Sequence, residues 1–408
     1  MVDAEIILRQ VVTNIAKEQQ FNNYDTKFKL YESEGANYTS QLYSITLSAP
    51  GKDDLNLFAK VAVMGESLRT MMIVQVFQTE VKFYTKVVPK YRELEERYNF
   101  PEEVRLVLPK YYGGTTEYMK ETLVLEDLSI KGYQPFDRFK CFDWEYASLC
   151  ISVLARLHAL SVAFLKEEPQ LFGDVQAPGK SDEMVGFMEK AVGNALQVTA
   201  EEHKGQLAKF FEKNMTEEAF DAYYNPKRKI VLNHGDFRPS NILHKRDENG
   251  KLQIVVVDFQ IMQKSNPVVD LVYFLICGSD EEFRELYRKR YFDHYYEEFC
   301  KTLRRLEIDP NEVYTKKDFD ADVETFLPFG LVLGVIALPM ITVDVANAPK
   351  LDEGIDIDSF AIETSSLFAT RFRGLVNDYV KWGYLGSDIH SPTTPKRAPS
   401  LERKSEDT

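Results

Sequence analysis

The sequence is short of cysteine, of positive charge and of unbroken apolar runs, and each shortage closes off a class of protein. Four cysteines (Cys141, Cys150, Cys277 and Cys300) stand in 408 residues, with no Cys-x-x-Cys pair and no metal-finger spacing. That argues against a disulfide framework or a structural zinc site and leaves small buried thiols in a reducing compartment. Lys and Arg number 50 against 64 Asp and Glu, a formal charge of −14. Nucleic-acid binding needs a basic face to neutralise phosphates, so this balance argues against it, although net charge describes the average surface and not a cleft. The start, Met1-Val2-Asp3-Ala4-Glu5-Ile6-Ile7, is too acidic and too weakly apolar for a signal peptide. The most apolar stretch, Phe326 to Val343, is interrupted by Pro328, Gly330, Gly334 and Pro339, whereas a spanning helix wants about 20 apolar residues. It reads as a buried helix pair or turn. The expectation is a soluble, cytoplasmic protein with neither membrane nor nucleic acid as partner. Internal repeats are absent, and Pro178-Gly179-Lys180-Ser181 lacks the spacing of a P-loop.

What is present is a globular composition, 44% hydrophobic and 12% aromatic, long enough for two or three cores. Residues 1–20 carry Ile6, Ile7, Val11, Val12 and Ile15 near helical spacing. Strands are expected at Phe28–Tyr31, Leu42–Leu47 and, after a Pro50-Gly51 turn, Leu55–Val63. The loop between the first two, residues 34–40, has one glycine, and its backbone N–H groups with the Thr39 and Ser40 hydroxyls suit phosphate oxygens. Lys60 sits among apolar residues on the third strand, where a charge is costly without a partner. Glu80 lies in an expected helix, Val74 to Val88. An apolar strand, Leu123-Val124-Leu125, runs into the acidic turn Glu126-Asp127-Leu128. Residues 143–165 form a long helix with an apolar stripe, on which His158 reads as a packed, hydrogen-bonded core residue. Further helices are expected at 279–306 and 317–345. The cluster Tyr287, Tyr291, Phe292, Tyr295, Tyr296 and Phe299 reads as core packing rather than as a substrate pocket. Residues 385–408 are a polar, Pro-containing disordered tail, in which Arg397-Ala398-Pro399-Ser400 is a candidate phosphorylation site.

The chain is organised around one stretch. Asn233-His234-Gly235-Asp236-Phe237-Arg238-Pro239-Ser240-Asn241 places an asparagine five residues after an aspartate. The β-branched run Ile254 to Val257 then delivers Asp258-Phe259-Gln260, and Pro267-Val268-Val269-Asp270 follows. Protein kinases use this order and spacing. A loop aspartate accepts the acceptor hydroxyl proton, the later asparagine binds metal, and a second aspartate at a strand end completes the metal site.

With Phe58-Ala59-Lys60, Phe77 to Tyr84, Leu123 to Leu128, Leu154 to Ala159 and these loop motifs in view, the chain resembles the ecdysteroid-kinase-like (CHK-kinase-like) family. That family stands within the choline and aminoglycoside phosphotransferases. The resemblance implies an α+β, two-lobed protein-kinase-like fold: a small antiparallel-sheet lobe at 1–125 and a larger, mainly helical lobe at 126–384, with the tail at 385–408. It implies ATP and Mg²⁺ as cofactors and a small-molecule alcohol as substrate, an ecdysteroid or another steroid or xenobiotic. Asp236 would take or orient the hydroxyl proton, and Asn241 and Asp258 would hold Mg²⁺. Lys60, fixed by Glu80, would hold the α- and β-phosphates, with Asn37, Thr39 and Ser40 covering them. Glu126 and Leu128 would offer backbone groups to the adenine edge. His234 and Asp270 would stabilise the loop by hydrogen bonds. The alternatives are a choline- or aminoglycoside-type kinase and a catalytically inactive, pseudokinase-like binder. The presence of Lys60, Asp236, Asn241 and Asp258 together argues against the inactive binder. Asp-Phe-Gln in place of Asp-Phe-Gly, and no Ala-Pro-Glu segment, point away from protein substrates. Arg238 stands where the family usually has an aromatic residue. A guanidinium there would reach the γ-phosphate or an acidic part of the acceptor.

Overall fold

Five strands, each paired antiparallel to its neighbours, make the N-terminal sheet in a computed structural model that describes residues 4–31, 40–63, 76–171, 182–347 and 364–386. They are β1 (Asp25–Tyr31), β2 (Ser40–Ala49), β3 (Lys52–Ala62), β4 (Tyr111–Thr115) and β5 (Thr122–Glu126), in the order β1-β2-β3-β5-β4. The two-residue period of β3 decides which way its side chains go. Leu57, Ala59 and Val61 join Leu8, Val12 and Ile15 of the helix Ala4–Glu18 in one buried cluster. Those helix positions are spaced four and three apart, one stripe of an amphipathic helix. Burying each large aliphatic side chain stabilises by about 1.5–3 kcal/mol. Lys60 falls on the opposite face, toward the next helix.

That helix runs past the expected end. Val76–Lys82 continues through a π turn, Phe83–Val87, into Val88–Arg97. Pro89 supplies the reason. It has no N–H for the Thr85 carbonyl, and its ring would crowd that carbonyl in a regular helix. The wider turn, in which Val88 N–H donates to the Phe83 carbonyl, relieves the crowding without ending the helix.

Helices dominate from residue 144 onward. Trp144–Glu167 is N-capped by Asp143, whose side chain accepts from Tyr146 N–H at 2.9 Å, and packs along Glu281–Arg305. Tyr291, Phe292, Tyr295 and Phe299 are buried in the main core, with Tyr287 and Tyr296 packed against it, so the aromatic cluster is core. Phe326 to Val343 becomes a short 3₁₀ turn, Leu327–Phe329, and a buried helix, Gly330–Thr342. Two helical stretches among the described residues, Trp144–Glu167 and Lys316–Thr342, are long and apolar enough to cross a membrane; 61% and 78% of their apolar windows are buried inside the fold. Small strands shape the loops between helices: β6 (Gln134–Pro135), β7 (Val231–Asn233), β8 (Ile242–Arg246), β9 (Leu252–Val256) and β10 (Gln263–Ser265). They pair as β6-β8-β9 and β7-β10. Cys150, Cys277 and Cys300 are buried, Cys141 is half-buried, and all four are free thiols. An antiparallel sheet followed by a mainly helical part is the α+β class expected from the sequence.

Candidate active site

Lys60 Nζ lies 3.0 Å from both Glu80 carboxylate oxygens and 2.7 Å from Asp258 Oδ1. Lys60 is 8% exposed and Glu80 not at all. One ammonium therefore serves two carboxylates, and their charges shape one another. Burial disfavours the Lys60 charge, but Asp258 and Glu80 outweigh it and raise its pKa. Burial also opposes the Asp258 charge, yet Lys60 holds that carboxyl below its ordinary range. Glu80 is pushed up to about 7, chiefly by burial, with Lys60 opposing and Asp258 adding to the rise. A carboxyl whose pKa is higher in the folded chain contributes stability that is present below its unfolded pKa and lost as pH rises through the folded value. The melting temperature of wild type minus that of Glu80→Gln should therefore fall as pH is raised from about 5 to about 8. A difference that stays flat across that window would remove the titration from Glu80.

Asp258 adopts φ +72°. Aspartate tolerates the left-handed region better than most residues, at a cost of about 1–3 kcal/mol. The surroundings enforce it. Phe259, fully buried, stacks on Phe83 with ring centroids 3.7 Å apart and planes 18° from parallel. Phe83 opens the π turn on the helix that carries Glu80, so one helix positions both carboxylates around Lys60.

The loop after β7 is held from below. Asp270 Oδ2 accepts from His234 N–H at 2.6 Å, and Oδ1 from Gly235 N–H at 2.9 Å. His158 Nε2 lies 3.1 Å from Asp270 Oδ2, and its Nδ1 lies 2.6 Å from the Tyr295 hydroxyl. A carboxylate only accepts, so His158 presents Nε2–H to Asp270 and accepts from Tyr295 on Nδ1. His158 is thus the hydrogen-bonded core residue expected, and it acts through Asp270. The N-cap of the helix Pro267–Gly278 is Asn266, which accepts from Val268 N–H at 3.0 Å; Asp270 serves the loop, not its own helix. His234 accepts the Asp236 N–H at 3.2 Å on Nδ1 and donates from Nε2 to the Val257 carbonyl at 2.9 Å. Gly235 has φ +84°, and a Cβ there would stand 2.5 Å from the Ile261 carbonyl oxygen. Only glycine fits.

Asp236 is surrounded by donors. Arg238 Nε (3.1 Å) and Asn241 Nδ2 (2.8 Å) reach Oδ2, and the Tyr273 hydroxyl (2.9 Å) reaches Oδ1. Two lone pairs per oxygen make Oδ2 full and leave one acceptor position on Oδ1, beside Tyr273. The carboxylate is 22% exposed, so that position is within reach of a ligand. Asn241 also donates to the Asp236 carbonyl at 3.0 Å, and its own carbonyl accepts Val257 N–H at 3.0 Å. That backbone bond sets Asn241 beside the residue preceding Asp258. With Asn241 Nδ2 committed to Asp236, only its Oδ1 is available to a cation. An amide oxygen and a carboxylate are hard donors that suit Mg²⁺, which takes few protein ligands. No group of three or more His, Cys, Asp or Glu side chains suited to a metal occurs among the described residues.

Tyr273 belongs to the motif Asp270-Leu271-Val272-Tyr273 that carries the family resemblance, but sequence reasoning gave it no role. The available signal was its position three residues after Asp270, which puts both on one helix face. At the end of β5, Asp127 Oδ1 accepts from Ser129 N–H (2.9 Å) and hydroxyl, and its Oδ2 from the Ser44 hydroxyl at 2.8 Å. Glu126 pairs with Lys131. Both acidic side chains are therefore structural, and the Leu128 N–H meets no acceptor among the described residues. Ser40 opens β2 and is buried. Asn37, Thr39 and Pro178–Ser181 lie outside the described residues, as does the expected tail from 387 on. Leu385, expected at the start of that tail, is instead buried in the main core, with its N–H donating to the Tyr379 carbonyl at 3.1 Å.

Sheet, catalytic-type loop and strand-end aspartate together define a kinase-like protein. The model of the ecdysteroid kinase-like family matches residues 34–308. The chain belongs to that family. No curated protein matches the sequence.

Proposed function

We propose that the protein transfers the γ-phosphoryl group of ATP to a hydroxyl of a small molecule, the family suggesting an ecdysteroid or another steroid-like or xenobiotic alcohol. The observation that carries this reading is the convergence of the buried Lys60–Glu80–Asp258 contact with Asp236 and Asn241 on adjoining loops. Phosphoryl transfer asks a protein mainly for positioning and charge stabilisation. Lys60, held by Glu80, would take the α- and β-phosphates and leave Asp258 to the cation. Asn241 and Asp258 would hold Mg²⁺, which when bound neutralises phosphate charge. The Leu128 N–H would pair with the adenine edge. Asp236 Oδ1 would accept the acceptor's hydroxyl proton as the new O–P bond forms and the bond to the β-phosphate oxygen breaks, releasing ADP.

A nucleotide titration tests the metal assignment. In wild type, Mg²⁺ should strengthen nucleotide binding; in Asp258→Ala, titrations with and without Mg²⁺ should coincide. A variant that keeps the wild-type difference contradicts the role. Activity is tested by ADP formation across a panel of alcohols, including sterols, choline and an aminoglycoside. Nucleotide binding without ADP formation for any of them would mark a binder.

A further inference from the structure

Asn233 ends β7, after Val231 and Leu232, and is the last residue before His234-Gly235-Asp236. An apolar side chain would suit this position, because it is fully buried. The chain has an amide there instead. Neither Asn233 Nδ2 nor Oδ1 meets a hydrogen-bond partner among the described residues. A buried amide that makes no hydrogen bond is costly, and such groups are nearly always paired with protein or with an ordered water.

The neighbouring strand supplies a second group in the same condition. β7 pairs antiparallel with β10, Asn233 opposite Gln263 and Val231 opposite Ser265. Paired residues project to one face, and alternate residues along a strand share it, so Asn233 and Ser265 are diagonal neighbours on a single face. Ser265 is fully buried as well, and its hydroxyl has no partner among the described residues. The polar groups around them are committed elsewhere. Lys264, on the opposite face with Leu232, donates to the Pro169 carbonyl. Ser161 donates to the His158 carbonyl at 2.7 Å and accepts the Leu232 N–H at 2.8 Å. The Asn266 amide serves Val268, Tyr314 and Asp322. Diagonal neighbours across two strands stand roughly 7–8 Å apart. One water joining two polar atoms spans about 5–6 Å, which suits side chains that lean into that gap.

We propose that a water molecule is bound between the Asn233 amide and the Ser265 hydroxyl, tying the start of the Asp236 loop to β10. The amide both donates and accepts, and the hydroxyl does either, which is the complement of water. Both side chains are neutral and closed to solvent, so an ion would lose its hydration there without a compensating charge. The site is independent of the reaction assigned to Asp236.

Two measurements on the full chain test it. A crystal structure should show density for a water within hydrogen-bonding distance of both side chains; a site without that density overturns the proposal. Thermal unfolding reads the same site through the sign of a change, because leucine matches asparagine in shape. If the two groups were simply unmet, Asn233→Leu and Ser265→Ala would each remove a penalty and raise the melting temperature. A bridging water reverses the sign. Each single variant deletes one anchor, leaves the other group unmet, and should melt about 2–4 °C below wild type. The combined variant deletes both ends and should melt no lower than the less stable single variant. Single variants that melt at or above wild type, or losses that add in the combined variant, overturn the bridge. Should Asn233→Leu fail to fold, the sign of the Ser265→Ala change and the crystal density decide.

Discussion

Asp236→Asn should lower kcat by roughly 10²–10⁴-fold, about 3–5 kcal/mol of barrier, while ATP binding survives. Asparagine keeps the size and planarity of the carboxylate and cannot take a proton. The surroundings allow the exchange. Its carbonyl oxygen can keep the bonds from Arg238 and Asn241, and the Tyr273 hydroxyl can turn to accept from the new NH₂ group. The fold should hold, so the loss would report chemistry and not unfolding. Steady-state ADP release with saturating acceptor, beside calorimetry of the nucleotide, checks both halves. Near-normal turnover would remove Asp236 as the base.

Asp270→Ala should be the most destabilising single change at the site, although its carboxylate lies beneath the reacting position. Three donors converge on this fully buried carboxylate: His234 N–H, Gly235 N–H and His158 Nε2. Each buried donor left without an acceptor costs about 1–3 kcal/mol. Loss of all three is of order 3–5 kcal/mol or more, a large share of a typical domain's stability. The loop that carries Asp236 would lose its support at the same time. Asp270→Asn is the milder variant, because an amide oxygen accepts two bonds while its NH₂ faces the third donor. Urea denaturation should rank the proteins wild type, Asp270→Asn, Asp270→Ala. An alanine variant within about 0.5 kcal/mol of wild type, the range of ordinary surface changes, would show that the loop does not depend on this carboxylate.

Where local chemistry dominates, the sequence was a good guide. A charge at Lys60, among apolar residues on a strand, needed a partner, which the structure supplies in Glu80 and Asp258. His158 on an apolar stripe read as core and is core. The spacing of Asp236, Asn241 and Asp258 made a pattern whose members the fold brings together by the Asn241 side-chain bonds to Asp236 and one backbone bond, Val257 N–H to the Asn241 carbonyl.

What escaped depends on contacts between segments far apart in the chain. Asp270 was expected to hydrogen-bond the loop from its helix start, but the sequence did not say which donors it takes. Only the packing of that helix under the loop turns it toward His234 and Gly235, while Asn266 takes the cap. Tyr273 had no partner until Asp236 arrived from 37 residues away. The π turn at Phe83–Val87 follows from Pro89, but its use, stacking Phe83 on Phe259, is tertiary. Arg238 was legible as a departure from the family's usual aromatic residue. Its neighbours Arg138 and Lys140, a hundred positions earlier, were not legible as neighbours at all.

The central claim is the transfer itself, and ATP labelled on the γ-phosphorus tests it most directly. Incubated with the full chain, Mg²⁺ and a mixture of hydroxy acids, sterols and other alcohols, the label should move to an organic product in step with ADP. Asp236→Asn should slow that movement by the factor given above. ADP accompanied only by labelled inorganic phosphate, or label that stays on ATP throughout, would contradict the account.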